Sequence, residues 1–157
     1  MKRILLLFAM LTIAAPASPR PVAPPTSAWA AACADSDEWD KPGPPFRIHG
    51  NSYYVGTCGI TAILIAGNKG HVLIGSGTDA GAVIVATNIE QLGFRLKDVK
   101  LLLHSHEHFD HVGGLARLQQ LTGARLMASP EAAPVLASGK DGAGDPQAGM
   151  LCSRSRR

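Results

Sequence analysis

Four of the six histidines of this 157-residue chain lie within eight consecutive positions. They belong to the run LLLHSHEHFDH, which occupies positions 101–111 and ends an apolar segment. Neutral imidazole and carboxylate are ligands that zinc-like ions prefer, and a loop after a buried strand lets several side chains converge. We therefore predict a metal site here rather than a surface His-rich loop that picks up metal incidentally.

The spacing of the donors divides them between two ions. His106 and His108 are two residues apart, so in extended backbone they point to the same side and can bind one ion. Asp110 and His111 follow as the chain turns toward a helix, and they can reach a second ion a few ångströms away. Gly113-Gly114 lets the backbone pass close to the site without an intervening side chain.

The remaining three histidines are expected to lie outside the ligand set. His104 alternates with Ser105 at the end of the apolar segment, which favours a structural role or the support of a ligand. His49 and His71 fall on solvent-facing positions of predicted strands, and we assign them no role.

The hydrophobic pattern predicts an α/β protein. Predicted strands are 46–49, 53–55, 61–66, 71–74, 99–103 and 125–128; predicted helices are 81–92, 113–121 and a short or late one after Ser129-Pro130, limited by Pro134. We expect strand 99–103 to be fully buried. We also expect Leu115, Leu118 and Leu121 to share one helix face. This order predicts a mixed sheet with helices covering one face.

The net charge of +3 is misleading about possible partners. Three basic residues precede Asp35 and three more lie among the last four positions, which leaves 9 basic against 12 acidic residues between them. Without an interior basic patch, and with only 5% aromatic residues, the sequence argues against a nucleic-acid partner.

The amino end has the organisation of an export signal. Lys2-Arg3 precedes the apolar run 4–15, which is too short to span a bilayer. Cleavage sites with small residues occur before Ser18 and before Ala31, and the sequence does not choose between them. A lipoprotein acceptor at Cys33 and a buried N-terminal helix are weaker alternatives. We expect a periplasmic or secreted protein that is not membrane-bound after signal removal.

Export changes the interpretation of the three cysteines. In an oxidising compartment Cys33 and Cys58 can pair, which would tie the N-terminal segment to the first strands and leave Cys152 over. Two buried free thiols are the alternative, because sequence cannot show that the two side chains are close.

The segment SHEHFDH at 105–111, followed by Gly113-Gly114, resembles the signature of the metallo-β-lactamase fold. The segment YVGTCGI at 54–60, the Gly93-Phe94 turn and Asp145-Pro146-Gln147 resemble the subclass whose two zinc sites use only His and Asp. The resemblance runs continuously from about Cys33 to Gln147.

This resemblance implies a fold and a chemistry. The fold is an αββα sandwich, of which this chain would form the N-terminal half with one mixed sheet and its helices. His106 and His108 would bind the first zinc, Asp110 and His111 the second, and Asp110 would also be catalytic. A zinc-bound hydroxide would attack the β-lactam amide. The resemblance also favours a Cys33–Cys58 disulfide.

The chain departs from the family in ways that matter for activity. Complete members are roughly twice as long and supply one further histidine to each zinc, whereas no histidine follows His111 here. Gly75 stands where an ordering Asp is expected. We expect residues 1–32 to be the signal and Pro-rich segment, 33–147 the half domain with an unpartnered apolar sheet face, and 148–157 an unrelated tail.

The leading hypothesis is therefore an exported zinc hydrolase of β-lactam antibiotics, truncated and inactive alone, with a small-molecule substrate. The alternatives are a thioesterase or lactonase on the same fold, or a non-catalytic zinc-binding remnant. The sequence does not reveal the oligomeric state.

Overall fold

The computed structural model describes residues 26–142 and 144–149. Its helices are α1 Thr26–Cys33, α2 Asp79–Gln91, α3 Phe109–Val112, α4 Leu115–Thr122 and α5 Ala132–Ser138, with a 3-10 turn at Leu96–Asp98. Its strands are β1 Phe46–His49, β2 Ser52–Tyr54, β3 Ile63–Ile65, β4 His71–Ile74, β5 Val99–Leu103 and β6 Arg125–Leu126. The apolar run 4–15 and positions 150–157 of the predicted tail lie outside these residues.

The strands form one six-stranded sheet in the order β1-β2-β3-β4-β5-β6. The pairs β1-β2, β2-β3 and β3-β4 are antiparallel, whereas the pairs β4-β5 and β5-β6 are parallel. Loops of two to eight residues join the antiparallel strands, and the parallel strands are connected through helices, as parallel pairing requires. The predicted α/β class with one mixed sheet is therefore confirmed.

The core lies between one face of this sheet and helices α2 and α4. Its fully buried members include Leu64, Leu73, Val85, Ile89, Val99, Leu102, Leu115 and Leu118. Leu121, predicted to share their helix face, is instead 37% exposed. At 3.6 residues per turn, a side chain six positions after Leu115 lies about 120° around the helix, beyond the buried stripe.

The opposite face of the sheet is also apolar, but its side chains are only half-buried. Strand β5 was predicted to be fully buried, yet only Val99 and Leu102 are, while Leu101 and Leu103 are half-buried. Alternation along the strands places these two beside other half-buried residues, namely Ile63, Ile65, Val72 and Ile74. None of the six belongs to the core cluster between sheet and helices.

The late helix is short and starts late, as predicted. Ser129 Oγ accepts a hydrogen bond from the Ala132 amide at 3.2 Å, but Glu131 occupies the N-cap, so Ser129-Pro130 precedes the helix instead of starting it. Helix α5 then begins at Ala132 and ends at Ser138, so Pro134 lies in the first turn, where a missing amide proton costs nothing.

The N-terminal segment is fastened to the edge of the sheet. All of helix α1 except Cys33 lies within the range 1–32 predicted for the signal and Pro-rich segment. Its Trp29 packs edge-on against Tyr54 and Phe46 at ring-centroid distances of 5.4 and 6.1 Å. A disulfide joins Cys33 to Cys58. Within the described ranges, no helix is long and apolar enough to cross a membrane.

A single buried amide connects this segment to α2. Asn88 Nδ2 lies 3.1 Å from the carbonyl oxygens of Gly43 and Val55 and 3.0 Å from that of Gly56, so its two N–H groups are shared among three acceptors. These carbonyls lie outside the named strands, and the Asn88 side chain supplies a donor to buried backbone oxygens there.

We predict that Asn88→Ala lowers the free energy of unfolding by about 2–4 kcal/mol, because it leaves buried carbonyl groups without a donor. Thr87→Ala, one residue earlier on the same helix, removes an exposed side chain and should change it by less than about 0.5 kcal/mol. Urea titration followed by circular dichroism measures both. Equal effects of the two substitutions would show that Asn88 does not carry this connection.

Candidate metal centre

Residues 104–108, the histidine loop, connect the end of β5 to the start of α3. It lies beside the end of β4, where the Gly75 amide donates to the Leu103 carbonyl at 3.0 Å. Adjacent parallel strands end at the same edge of a sheet, so the loop after β5 and the turn after β4 meet there.

Ser76 clamps the far end of this loop. Its amide and its Oγ both donate to the His111 carbonyl, at 3.1 and 2.9 Å. Ser76 Oγ in turn accepts from the Gly114 amide at 3.2 Å. A Cβ on Gly114 would lie 2.6 Å from the Thr78 carbonyl oxygen, so this glycine permits the close approach of the loop to the β4–α2 turn.

Three of the predicted ligands meet at the surface of this loop. The His106 ring lies 4.5 Å from the His108 ring and 4.3 Å from the His111 ring, measured between centroids. Ser105 Oγ lies 2.9 Å from His106 Nδ1, which leaves His106 Nε2 free to bind a metal. His104 is not part of this cluster, and its Nδ1 is buried without a hydrogen-bond partner in the described part of the chain.

Asp110 brings its carboxylate to the same place. Asp110 Oδ2 lies 3.2 Å from His111 Nε2, so the two donor atoms predicted for the second ion converge. Its other oxygen, Oδ1, accepts a hydrogen bond from Gln147 Nε2 at 2.8 Å. The residue is 8% exposed, and a buried carboxylate of this kind needs such partners.

The charge state of His111 suits metal binding. Burial lowers the pKa of His111; the Asp110 carboxylate raises it in part, and His106 and His108 lower it further. The neutral imidazole, which is the form that binds metals, therefore persists to lower pH than in an unperturbed histidine.

The donor set fits zinc by its chemistry but is incomplete by count. Two imidazoles are available for one ion and a carboxylate with an imidazole for the other, whereas catalytic zinc sites use three protein ligands. Among residues 26–142 and 144–149, no group of three or more His, Cys, Asp or Glu side chains is arranged to hold one ion. The loop therefore holds fewer donors for each predicted ion than a complete catalytic zinc site has.

Sequence reasoning missed the residues that hold the loop. Ser76 follows the position where an ordering Asp was expected; Gly75 has a φ of +81°, and a Cβ there would lie 2.8 Å from the Thr61 carbonyl oxygen. The turn therefore excludes a side chain at position 75. The Gly-Ser-Gly sequence at 75–77, directly after a strand, was the available signal for a special turn.

The architecture places a cluster of three imidazoles and one carboxylate on the loop after β5 of an α/β scaffold. The family model for the metallo-beta-lactamase superfamily matches residues 55–146, which is more than half of the chain. The chain therefore belongs to the metallo-beta-lactamase superfamily.

Solved structures resemble this chain over most of its length. The MIM-2 metallo-beta-lactamase is 63% identical, with a TM-score of 0.82 over 87% of this chain and 52% of that one. MIM-1 from Novosphingobium pentaromativorans is 48% identical, with a TM-score of 0.75 over 81% and 48% of the two chains. MEM-A1, a subclass B3 enzyme from a soil metagenome library, is 48% identical, with a TM-score of 0.70 over 76% and 47%. The chain thus spans about half the length of these proteins.

A curated relative covers a shorter stretch. The hydroxyacylglutathione hydrolase of Methylobacterium nodulans is 43% identical over 54 residues, which is 34% of this chain and 19% of that enzyme.

We predict that His108→Ala lowers the zinc affinity of the chain by at least about 100-fold at one site, since changes outside the ligand shell already cost about 10–100-fold. His49→Ala, at an exposed strand position, should leave zinc binding unchanged. Competition with a chromophoric chelator measures affinity and stoichiometry. An unchanged stoichiometry and affinity in His108→Ala would remove the metal assignment.

Proposed function

We propose that this chain carries the first half of a binuclear zinc site that hydrolyses β-lactam antibiotics. The observation that carries the proposal is the His106-x-His108-x-Asp110-His111 loop, held as described above, in a chain 63% identical to the MIM-2 metallo-beta-lactamase over 87% of its length. The proposed substrate class is the one after which these structural relatives are named.

Each donor has a role in this proposal. His106 and His108 would hold one zinc, and Asp110 and His111 the other. When bound, the two ions would supply Lewis-acid activation of water and of the lactam carbonyl. Asp110 is in addition the proposed catalytic residue, because a carboxylate at this position can accept a proton from the attacking water at Oδ2.

Residues 33–147 would form the N-terminal half of the domain, with residues 148–157 outside it. Each ion then lacks the third protein ligand that catalytic zinc sites require. We therefore infer that the 157 residues alone bind zinc weakly and do not turn over substrate, and that activity needs the half of the fold that its relatives possess.

We further infer that the protein is exported to the periplasm or secreted. Of the two candidate cleavage positions, the one before Ser18 would keep Trp29 in the mature protein, where it contacts Phe46 and Tyr54. Cleavage before Ala31 would remove this contact and most of α1. A Cys33–Cys58 disulfide is consistent with an oxidising compartment.

Hydrolysis of a glutathione acyl conjugate is the second candidate function. The stretch shared with the hydroxyacylglutathione hydrolase of Methylobacterium nodulans is short, at 54 residues, but its identity of 43% is substantial. The histidine loop alone does not distinguish the two functions, because substrate choice depends on the loops around a site rather than on the fold.

The decisive experiment is a chimera that joins residues 33–147 to the part of MIM-2 that this chain does not cover. With zinc, we expect this chimera to hydrolyse a chromogenic cephalosporin, because the missing ligands are restored. The 157-residue chain alone should show no turnover above buffer with zinc. Absorbance of the opened lactam measures both.

Asp110→Asn in the chimera should lower kcat by at least about 100-fold, since general-base contributions are typically 10²–10⁴-fold. A chimera that is folded and zinc-loaded but cleaves hydroxyacylglutathione and no β-lactam would establish the second function instead. Turnover of β-lactams by the 157 residues alone would contradict the ligand count.

A further inference from the structure

The segment Asp145-Pro146-Gln147 lies against the histidine loop and the start of α3, although it is more than thirty residues further along the chain. It forms a compact turn in which the Gln147 amide donates to Asp145 Oδ1 at 2.8 Å and the Ala148 amide donates to the Asp145 carbonyl at 3.0 Å. Pro146 restricts φ in the middle of this turn. The two flanking side chains are therefore presented in a defined direction, and both face predicted zinc ligands.

Gln147 contacts one ligand of the second ion. Its Nε2 donates to Asp110 Oδ1 at 2.8 Å, while Asp110 Oδ2 faces His111 Nε2. One carboxylate oxygen is thus occupied by the amide, and the other remains directed toward the neighbouring ligand. The reversed amide would place Gln147 Oε1 against a carboxylate oxygen, which fixes its orientation by repulsion.

Asp145 faces one ligand of the first ion. Its side chain is 5% exposed, and Asp145 Oδ1 lies 3.7 Å from His108 Nε2. This distance is longer than a hydrogen bond, so the carboxylate acts on the ring through its charge, which favours the tautomer with its proton on Nε2. The lone pair on His108 Nδ1 is then the one available to a metal.

We propose that Asp145 and Gln147 are positioning residues for the two zinc ions, each orienting one ligand of a different ion from a single turn. This inference rests on the metal centre proposed above but not on the substrate. The backbone amide of Gln147 donates to Asp145 Oδ1, so the Asp145 side chain also holds the turn from which the Gln147 side chain extends.

A purely structural role for this turn makes a different prediction. If the turn only closed the end of the domain, substitutions would lower thermal stability and leave the histidine tautomer unchanged in whatever remained folded. A positioning role changes the tautomer and the zinc affinity in variants whose stability is retained.

The first test uses the full chain without metal. Two-dimensional ¹H–¹⁵N NMR of the imidazole nitrogens should show His108 with its proton on Nε2, and Asp145→Asn should shift the population toward Nδ1. Asp37→Asn removes the charge of an exposed carboxylate elsewhere and should not alter the His108 signals. A wild-type Nδ1–H tautomer, or no response to Asp145→Asn, would overturn the role of Asp145.

The second test measures zinc affinity of the same full chain by chelator competition. Gln147→Ala and Gln147→Glu should each weaken zinc binding by about 10–100-fold, with Glu the worse because it places a second carboxylate against Asp110. Gln91→Ala, at an exposed position of α2, should bind zinc as the wild type does. The midpoint of thermal unfolding of the metal-free variants should stay within about 2 °C of the wild type.

Wild-type zinc affinity in both Gln147 variants would overturn the role of Gln147, and so would a loss of affinity that only parallels a loss of stability. Absence of zinc binding by the wild-type chain would overturn the metal centre itself. If the zinc and tautomer results hold while the chimera cleaves no β-lactam, the positioning role stands and only the proposed substrate fails.

Discussion

The short network of hydrogen bonds around Ser76 is the constraint that determines the position of the histidine loop. The histidine loop follows β5 and consists of five consecutive polar residues, 104 to 108, none of which belongs to the apolar core. Its two ends are held because Leu103 accepts from Gly75 and His111 accepts twice from Ser76. The turn after β4 therefore determines where three imidazoles and one carboxylate meet.

That turn is itself held from the other side of the molecule. Thr78 caps α2 by accepting from the Gly81 amide at 3.0 Å, and its hydroxyl donates to Asp40 Oδ1 at 2.5 Å. Asp40 belongs to the same N-terminal segment that the disulfide and the Asn88 amide fasten to the fold. The position of the histidine loop thus depends on an N-terminal segment that contains none of the predicted metal donors.

The half-buried face of the sheet and the incomplete ligand sets have one physical explanation under the proposed function. In a two-layered sandwich each sheet needs an apolar partner, and a metal site at the edge of two sheets needs ligands from both. This chain spans about half of its structural relatives, so under that proposal it would present one apolar face and two partial ligand sets. Substrate selectivity would depend mainly on loops outside these residues.

The sequence by itself determined the order of the elements and predicted the cluster of three histidines and one aspartate, because both follow from local periodicity and from residues at most seven positions apart. Tertiary structure decided which side chains support them: Gln147 reaches Asp110 across 37 positions and Ser76 reaches His111 across 35. It also decided that Leu121 is exposed and that β5 is buried on one face only. Such contacts depend on how distant strands end at a common edge of the sheet, and no local pattern encodes that meeting.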